Sequence, residues 1–98
     1  LHTFVNVAST NAAKIFNLFP RKGTIAPGSD ADLVVYDPAY RGKLSAETHL
    51  MNIDYNAFEG WPIEGRPSVV TVRGEVAARD GKFVGTVGRG RFLKRPAA

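Results

Sequence analysis

The sequence contains no cysteine in its 98 residues, so disulfide bonds and thiolate metal sites are excluded. It has only two histidines, His2 and His49, and they lie in no His-x-His or His-Glu-x-x-His spacing. Because a metal centre needs three or four ligands, we expect His2 to be an exposed terminal residue and His49 a hydrogen-bonded loop residue. The sequence predicts no catalytic, cofactor-binding or metal-ligating residue in this chain.

Long apolar runs are missing too, and no stretch approaches the roughly 20 residues of a membrane-spanning helix. The phosphate-binding, dinucleotide-binding and nucleophile-turn glycine motifs are also absent. Asp30 and Asp32 lack the further oxygens of a calcium loop, so we interpret them as turn residues. An acid/base group of Asp54, Tyr55 and Glu59 is not expected, because no nucleophile accompanies it.

Acidic residues are absent after Asp80, whereas several cations follow it: Lys82, Arg89, Arg91, Lys94 and Arg95. The net charge of +4 is therefore a feature of the C-terminal part of the chain. Residues 88–92 are similar to an arginine–glycine segment that binds nucleic acid, but they form one copy with one aromatic residue. We expect a solvated or subunit-contacting arm and no nucleic-acid binding.

The first part of the chain is predicted to be helical over residues 1–19. The hydroxyls of Ser9 and Thr10 suit a helix cap, which predicts two short helices with a break there. Pro20 is predicted to end the second helix, because it lacks an N–H. The second helix carries one apolar face, formed by Ala12, Ile15, Phe16 and Phe19.

After Gly23 the pattern changes to short strands, predicted at residues 24–25, 32–37, 43–45, 68–73, 76–78 and 82–84. Turns are predicted at residues 27–30, near Gly74 and at Asp80-Gly81, because glycine takes positive φ and aspartate bonds its own backbone. Asp37-Pro38 is predicted to end the second strand. The expected fold class is α+β, with short helices followed by a mostly antiparallel sheet.

Several motifs occur in an order that resembles the dihydropyrimidinase/D-hydantoinase group of the amidohydrolase superfamily. The run Ala31-Asp32-Leu33-Val34-Val35 follows the helical Ala13-Lys14-Ile15-Phe16. Ser45-Ala46-Glu47-Thr48-His49, Asp54-Tyr55-Asn56-Ala57-Phe58-Glu59-Gly60 and Gly88-Arg89-Gly90-Arg91-Phe92-Leu93 come later. The resemblance covers nearly the whole chain and is carried by several motifs together.

The resemblance implies a cytoplasmic, zinc-dependent hydrolase that opens dihydropyrimidine or 5-substituted hydantoin rings to N-carbamoyl amino acids. It implies two zinc ions bridged by a carbamylated lysine, with every ligand upstream of this chain. The chain itself, which begins at Leu1 without a methionine, is expected to be a catalytically inert C-terminal piece. Two alternatives stay open: a non-enzymatic, collapsin-response mediator-like relative and a free-standing basic binding module.

Three parts follow from the resemblance: residues 1–22 as the last helical part of a TIM-like barrel, residues 23–84 as the C-terminal half of a small β-sandwich, and residues 85–98 as a basic arm. The expected partners are the rest of the same barrel and sandwich and the neighbouring subunits of a homodimer or homotetramer. The subunit contacts are expected at Tyr55, Phe58, Trp61 and residues 85–95.

Without those partners, the strands at residues 33–36 and 69–72 would leave edges and apolar faces uncovered. We therefore expect the isolated chain to be marginally stable or to self-associate.

Overall fold

The computed structural model describes residues 1–97, which form two compact units. One unit is Leu1–Asp32 together with the described residues from Val87 onward, and the other is Leu33–Thr86. The first contains the helical residues and the second a four-stranded antiparallel sheet, which confirms the α+β class. The last residue of the predicted arm, Ala98, lies outside the described residues.

The helical part is one continuous segment. α-Helical His2–Val5 (α1) passes through a π-helical turn at Asn6–Thr10 into α-helical Asn11–Ile15 (α2). Thr10 keeps right-handed helical angles, φ −62° and ψ −47°, and no side chain caps either junction. The predicted break at Ser9-Thr10 is therefore wrong, because a π turn inserts a residue without leaving the helix. The Thr10 hydroxyl instead donates to the carbonyl oxygen of Gly23 at 2.8 Å.

The second helix ends before Pro20, at a Schellman motif. Asn17 adopts φ +58°, its N–H donates to Lys14 O at 3.2 Å, and the Leu18 N–H donates to Ala13 O at 2.8 Å. These two bonds satisfy carbonyls that the helix end would leave unpaired. The prediction that Pro20 ends the helix is wrong, since asparagine tolerates the left-handed conformation and stops the helix earlier.

Ala13 is the one buried hydrophobic residue among residues 1–97, with 7% of its surface exposed. The face predicted from apolar spacing is mostly uncovered, since Ile15 is 74% and Phe16 is 52% exposed. The small side chain of Ala13 lets the backbone at Gly23 approach the helix closely: a Cβ on Gly23 would lie 2.6 Å from Ala13 Cβ. Close backbone packing therefore determines which helical residue is buried.

Residues 20–33 contain turns and no helix or strand, so the strand predicted at residues 24–25 is absent. Ser29 N–H donates to Ala26 O at 3.1 Å, and Gly28 has φ +89°. Pro27 thus takes the second position and Gly28 the third in a type II turn. The predicted turn exists, shifted by one residue towards the N-terminus.

The sheet is a meander of four strands in chain order. They are Val34–Lys43 (β1), Pro62–Val72 (β2), Glu75–Arg79 (β3) and Lys82–Phe83 (β4). In the β2–β3 turn, φ is 47° at Arg73 and 79° at Gly74. In the β3–β4 turn, φ is 50° at Asp80 and 78° at Gly81. Both hairpins therefore turn through two residues with positive φ, the type I′ geometry that suits strand twist. The places of both turns are as predicted.

β1 is longer than predicted, because Pro38 does not end it. The register with β2 shifts between Val35 and Tyr36 and again between Asp37 and Arg41. The second irregularity contains Pro38, which has no N–H for the ladder and is tolerated at such bulges and on an edge strand. The separate edge strand predicted at residues 43–45 is the end of this longer β1 at Lys43.

The β1 side of the sheet exposes its apolar side chains. Val34 is 61% exposed, Val35 and Tyr36 are each 55% exposed, and Val72 on β2 is 38% exposed. The apolar face predicted for residues 33–36 is therefore present and uncovered within the described residues.

We predict different costs for alanine at two glycines that share a conformation, Gly23 with φ +87° and Gly28 with φ +89°. Gly28→Ala should lower the free energy of unfolding by about 1–2 kcal/mol, from left-handed strain alone, because nothing lies within 4 Å of its Cβ position. Gly23→Ala should cost at least about 1 kcal/mol more, because it also clashes with Ala13. Urea unfolding of the two variants measures the difference, and equal costs would contradict the close approach.

Candidate functional site

The two histidines lie in different units of the structure. His2 is exposed, as predicted. His49 Nε2 lies 3.0 Å from Ile53 O, so this nitrogen carries the proton and donates to the carbonyl, which confirms a hydrogen-bonded loop residue. Among residues 1–97, no three His, Cys, Asp or Glu side chains are grouped so that they could hold a metal ion.

Asp30 and Asp32 form ion pairs with cationic side chains at the start of the same turn-containing segment, residues 20–33. Lys22 Nζ lies 2.8 Å from Asp30 Oδ2 and also contacts Asp32 Oδ2, and Arg21 Nε donates to Asp30 Oδ2 at 3.1 Å. The hydrogen bond from Lys22 is the main reason why the pKa of Asp30 lies below its ordinary value. The same bond, followed by that to Asp32, raises the pKa of Lys22. These carboxylates stabilise the turn, which agrees with their interpretation as turn residues.

Three exposed aromatic side chains lie on one closed loop, residues 44–61, which we call the aromatic loop. Its ends are joined by two backbone hydrogen bonds, Leu44 N–H to Trp61 O at 2.9 Å and Gly60 N–H to Leu44 O at 2.8 Å. Inside the loop, Phe58 N–H donates to Asn56 Oδ1 at 2.9 Å. The loop therefore has a defined conformation despite its length.

Glu59 fastens the aromatic loop from within. Its Oε2 accepts the backbone N–H of Ala46 at 2.7 Å. This bond, with a second from the Ser45 side chain, holds the pKa of Glu59 below its ordinary value. An ionised carboxylate that already accepts such bonds is a loop brace, and its pKa is shifted away from the range that suits a general acid at neutral pH.

The aromatic loop presents apolar surface outward. Tyr55 is 67% exposed, Trp61 is 61% exposed, and Phe58 is 51% exposed. The Phe58 and Trp61 rings lie 5.0 Å apart at an interplanar angle of 59°, a tilted pair. Leu50, Met51 and Ile53 are also exposed. Several exposed apolar side chains on one braced loop are typical of a contact surface.

The described part of the arm runs from Gly85 to residue 97 and has no regular secondary structure. Phe92 is 92% exposed and Val87 is 87% exposed. Within its own unit, the Arg95 guanidinium lies 5.6 Å from the centre of the Phe16 ring.

A half-open cavity of about 500 Å³ lies in the Leu33–Thr86 unit, and no sequence motif indicated it. Its walls come from the end of β1, the aromatic loop, β2 and the β3–β4 turn, so its lining is scattered along the chain. The lining includes the cations Lys43, Arg66 and Lys82. Only strand pairing brings these segments together, and no local motif could have indicated them.

We predict that the ion pair between Lys22 and Asp30 makes the free energy of unfolding depend on pH in the acidic range. Because the folded pKa of Asp30 is lowered, its contribution is present above the unfolded value of about 4 and is lost as the pH falls through the folded value. The free energy of unfolding should therefore fall more steeply below about pH 4 in the wild type than in Asp30→Asn. Urea unfolding against pH tests this, with Asp54→Asn as a control, since Asp54 forms no ion pair within residues 1–97. Parallel curves for wild type and Asp30→Asn would refute the role of this bond.

Helices capable of crossing a bilayer, by length and apolar character, are not found in the described part of the chain.

The chain is similar to curated proteins over most of its length. It is 54% identical over 95 residues to the D-hydantoinase of Geobacillus stearothermophilus, covering 97% of this chain and 20% of that protein. It is 51% identical over 92 residues to the dihydropyrimidinase of Rattus norvegicus, covering 94% of this chain and 18% of that protein. A third relative is dihydropyrimidinase-related protein 5 of Mus musculus, which is 47% identical over 89 residues. The match covers 91% of this chain and 16% of that protein.

The structure is also similar to a solved one. It matches D-hydantoinase (dihydropyrimidinase) from Thermus sp. with a TM-score of 0.91 and 69% identity, over 96% of this chain and 20% of that one. The chain thus spans about a fifth of the length of the relatives that it matches.

The sequence profile of the amidohydrolase family matches residues 1–77, which is more than half of the chain. This match agrees with the ordered set of motifs in the sequence and with the shared fold. The chain belongs to the amidohydrolase family.

Proposed function

We propose that this chain is the C-terminal part of a cyclic-amide hydrolase that opens dihydropyrimidine or 5-substituted hydantoin rings to N-carbamoyl amino acids. In that reaction water adds to a ring carbonyl carbon, the ring C–N bond breaks, and the departing nitrogen takes a proton. The observation that carries the proposal is the 69% identity and common fold shared with D-hydantoinase (dihydropyrimidinase) from Thermus sp.. A cytoplasmic location is part of the same proposal.

The catalytic groups of such an enzyme would lie outside this chain. The side chains of residues 1–97 do not fit the two zinc ions that the resemblance implies, because no group of three suitable ligands is formed. Asp30 and Glu59 have pKa values lowered by local hydrogen bonds, which suits bracing of turns and loops. We therefore assign this segment a scaffold role and no catalytic residue.

A subunit-contact role for the aromatic loop and the arm is the second part of the proposal. Exposed aromatic rings on a braced loop bury large apolar areas at low entropic cost when another surface covers them. Phe58 and Trp61 form such a pair, and Glu59 between them fixes the loop. Homodimer or homotetramer assembly would cover this surface.

We expect the full-length protein that carries this chain to hydrolyse dihydrouracil or hydantoin and to contain zinc. Ring opening can be followed by loss of ring absorbance, and metal content by elemental analysis, before and after treatment with a chelator. Activity that disappears with the metal and returns with added zinc supports the proposal. A metal-free, inactive full-length protein would overturn it.

One observation favours a second candidate, a relative of the dihydropyrimidinase-related type without ring-opening activity: the chain is 47% identical to the mouse protein of that name. A full-length protein without the upstream His-x-His pair and bridging lysine, and without activity, would support that candidate. The basic-module alternative predicts tight nucleic-acid binding that weakens steeply with salt.

We further expect the double substitution Phe58→Ala and Trp61→Ala to weaken assembly of the full-length protein by about tenfold or more, because the two rings are central aromatic anchors. Ile25→Ala, which removes a side chain that is 86% exposed in a turn, is the matched control. Sedimentation velocity across a concentration series measures the dissociation constant. An unchanged constant in the double variant would rule out this surface as a subunit contact.

A further inference from the structure

The cavity in the Leu33–Thr86 unit has a volume of about 500 Å³, within the range of about 300–1,000 Å³ that small-molecule sites occupy. Its lining combines both types of group that an organic ligand needs. Leu44, Ile63 and the ring of Tyr40 supply apolar wall, and charged side chains come from three separate strands.

Arg66, on β2, is held in place by its neighbours. Its guanidinium carbon lies 4.1 Å from the centre of the Tyr40 ring, and its two terminal nitrogens donate to Asp80 O and Asp80 Oδ1, each at 3.4 Å. These bonds are long and use one N–H of each terminal nitrogen. Arg66 Nε is buried and has no hydrogen-bond partner in the described part of the chain. A guanidinium with five N–H groups therefore retains donor capacity that the fold does not use.

The charge around the cavity is unbalanced in favour of cations. Lys43 lies at the end of β1 and Lys82 at the start of β4, and neither forms an ion pair within residues 1–97. Of the two carboxylates in the lining, Asp80 is the ion-pair partner of Arg66 and Glu47 lies on the exposed loop. Two lysines and a stacked arginine thus line one cavity together with the apolar side chains of Leu44 and Ile63.

We propose that this cavity binds a small organic anion, a carboxylate or phosphate group on an apolar body, with Lys43, Lys82 and Arg66 as its cationic contacts. Arginine presents a planar fork that matches both oxyanions, and lysine adds an ammonium point charge. The apolar wall of Leu44, Ile63 and Tyr40 suits the body of the ligand and distinguishes the site from one for a bare inorganic ion. The inference does not rest on the proposed hydrolase activity.

The test is isothermal titration of the full-length protein with phenyl phosphate and with benzoate, which separate the two oxyanions. We expect saturable binding of at least one probe, with a dissociation constant of about 1 mM, and weaker binding of inorganic phosphate. Lys43→Gln and Lys82→Gln should each weaken binding by about tenfold, because each removes one charged contact. Arg66→Lys should weaken it similarly while keeping the charge, because the fork is lost.

Lys94→Gln is the matched control, because it removes the same charge from outside the Leu33–Thr86 unit. It should leave the dissociation constant within about twofold, because Lys94 is an exposed, salt-screened charge that does not belong to the cavity lining. Thermal unfolding of each variant shows that the fold is retained. No saturable binding by either probe, or equal weakening by Lys94→Gln, would overturn the site. So would inorganic phosphate binding as tightly as phenyl phosphate, because the apolar wall would then contribute nothing.

Discussion

The pairing of β1 with β2 is the interaction on which the Leu33–Thr86 unit depends. No large side chain is fully buried among residues 1–97, so an apolar core does not hold this sheet together. Backbone hydrogen bonds between the strands hold it together, and tyrosine rings pack over two glycines of the sheet, Gly42 and Gly65. A Cβ on Gly65 would lie 2.5–2.7 Å from the Tyr36 ring, and the Tyr36 hydroxyl donates to Glu64 O at 3.1 Å. Aromatic cover of this kind compensates for a glycine inside a strand.

The Leu1–Asp32 part of the first unit uses the same strategy of small residues and polar bonds. Ala13 and Gly23 allow close approach of backbone, the Thr10 hydroxyl bonds to Gly23 O, and Lys22 joins Asp30 and Asp32. Such contacts fix local geometry, but they bury little apolar surface, which is the main source of folding free energy. A chain that spans about a fifth of its relatives has most of its apolar side chains available for surfaces outside itself.

The proposed contact surface and the proposed anion site use different side chains of the Leu33–Thr86 unit. The aromatic loop directs Tyr55, Phe58 and Trp61 to the outside, whereas the cavity lies where the loop, β2 and the β3–β4 turn meet. Arg66 belongs to the cavity, since it stacks on Tyr40 of β1 and bonds to Asp80 in the β3–β4 turn. A substitution at Arg66 therefore affects the sheet as well as any bound anion.

The sequence by itself determined the α+β class, the family and both hairpin turns, because these depend on apolar periodicity, ordered motifs and residues such as Gly74 and Asp80-Gly81 that suit positive φ. It did not determine the continuous helix through Thr10, the Schellman end at Asn17 or the passage of β1 beyond Pro38. The Thr10 hydroxyl bonds to Gly23, far along the chain, and a register irregularity absorbs Pro38. The helix end at Asn17 is set by local bonds from Asn17 and Leu18, which apolar periodicity does not reveal. The tertiary structure alone decided the cavity, because Lys43, Arg66 and Lys82 become neighbours only through strand pairing, which local sequence does not encode.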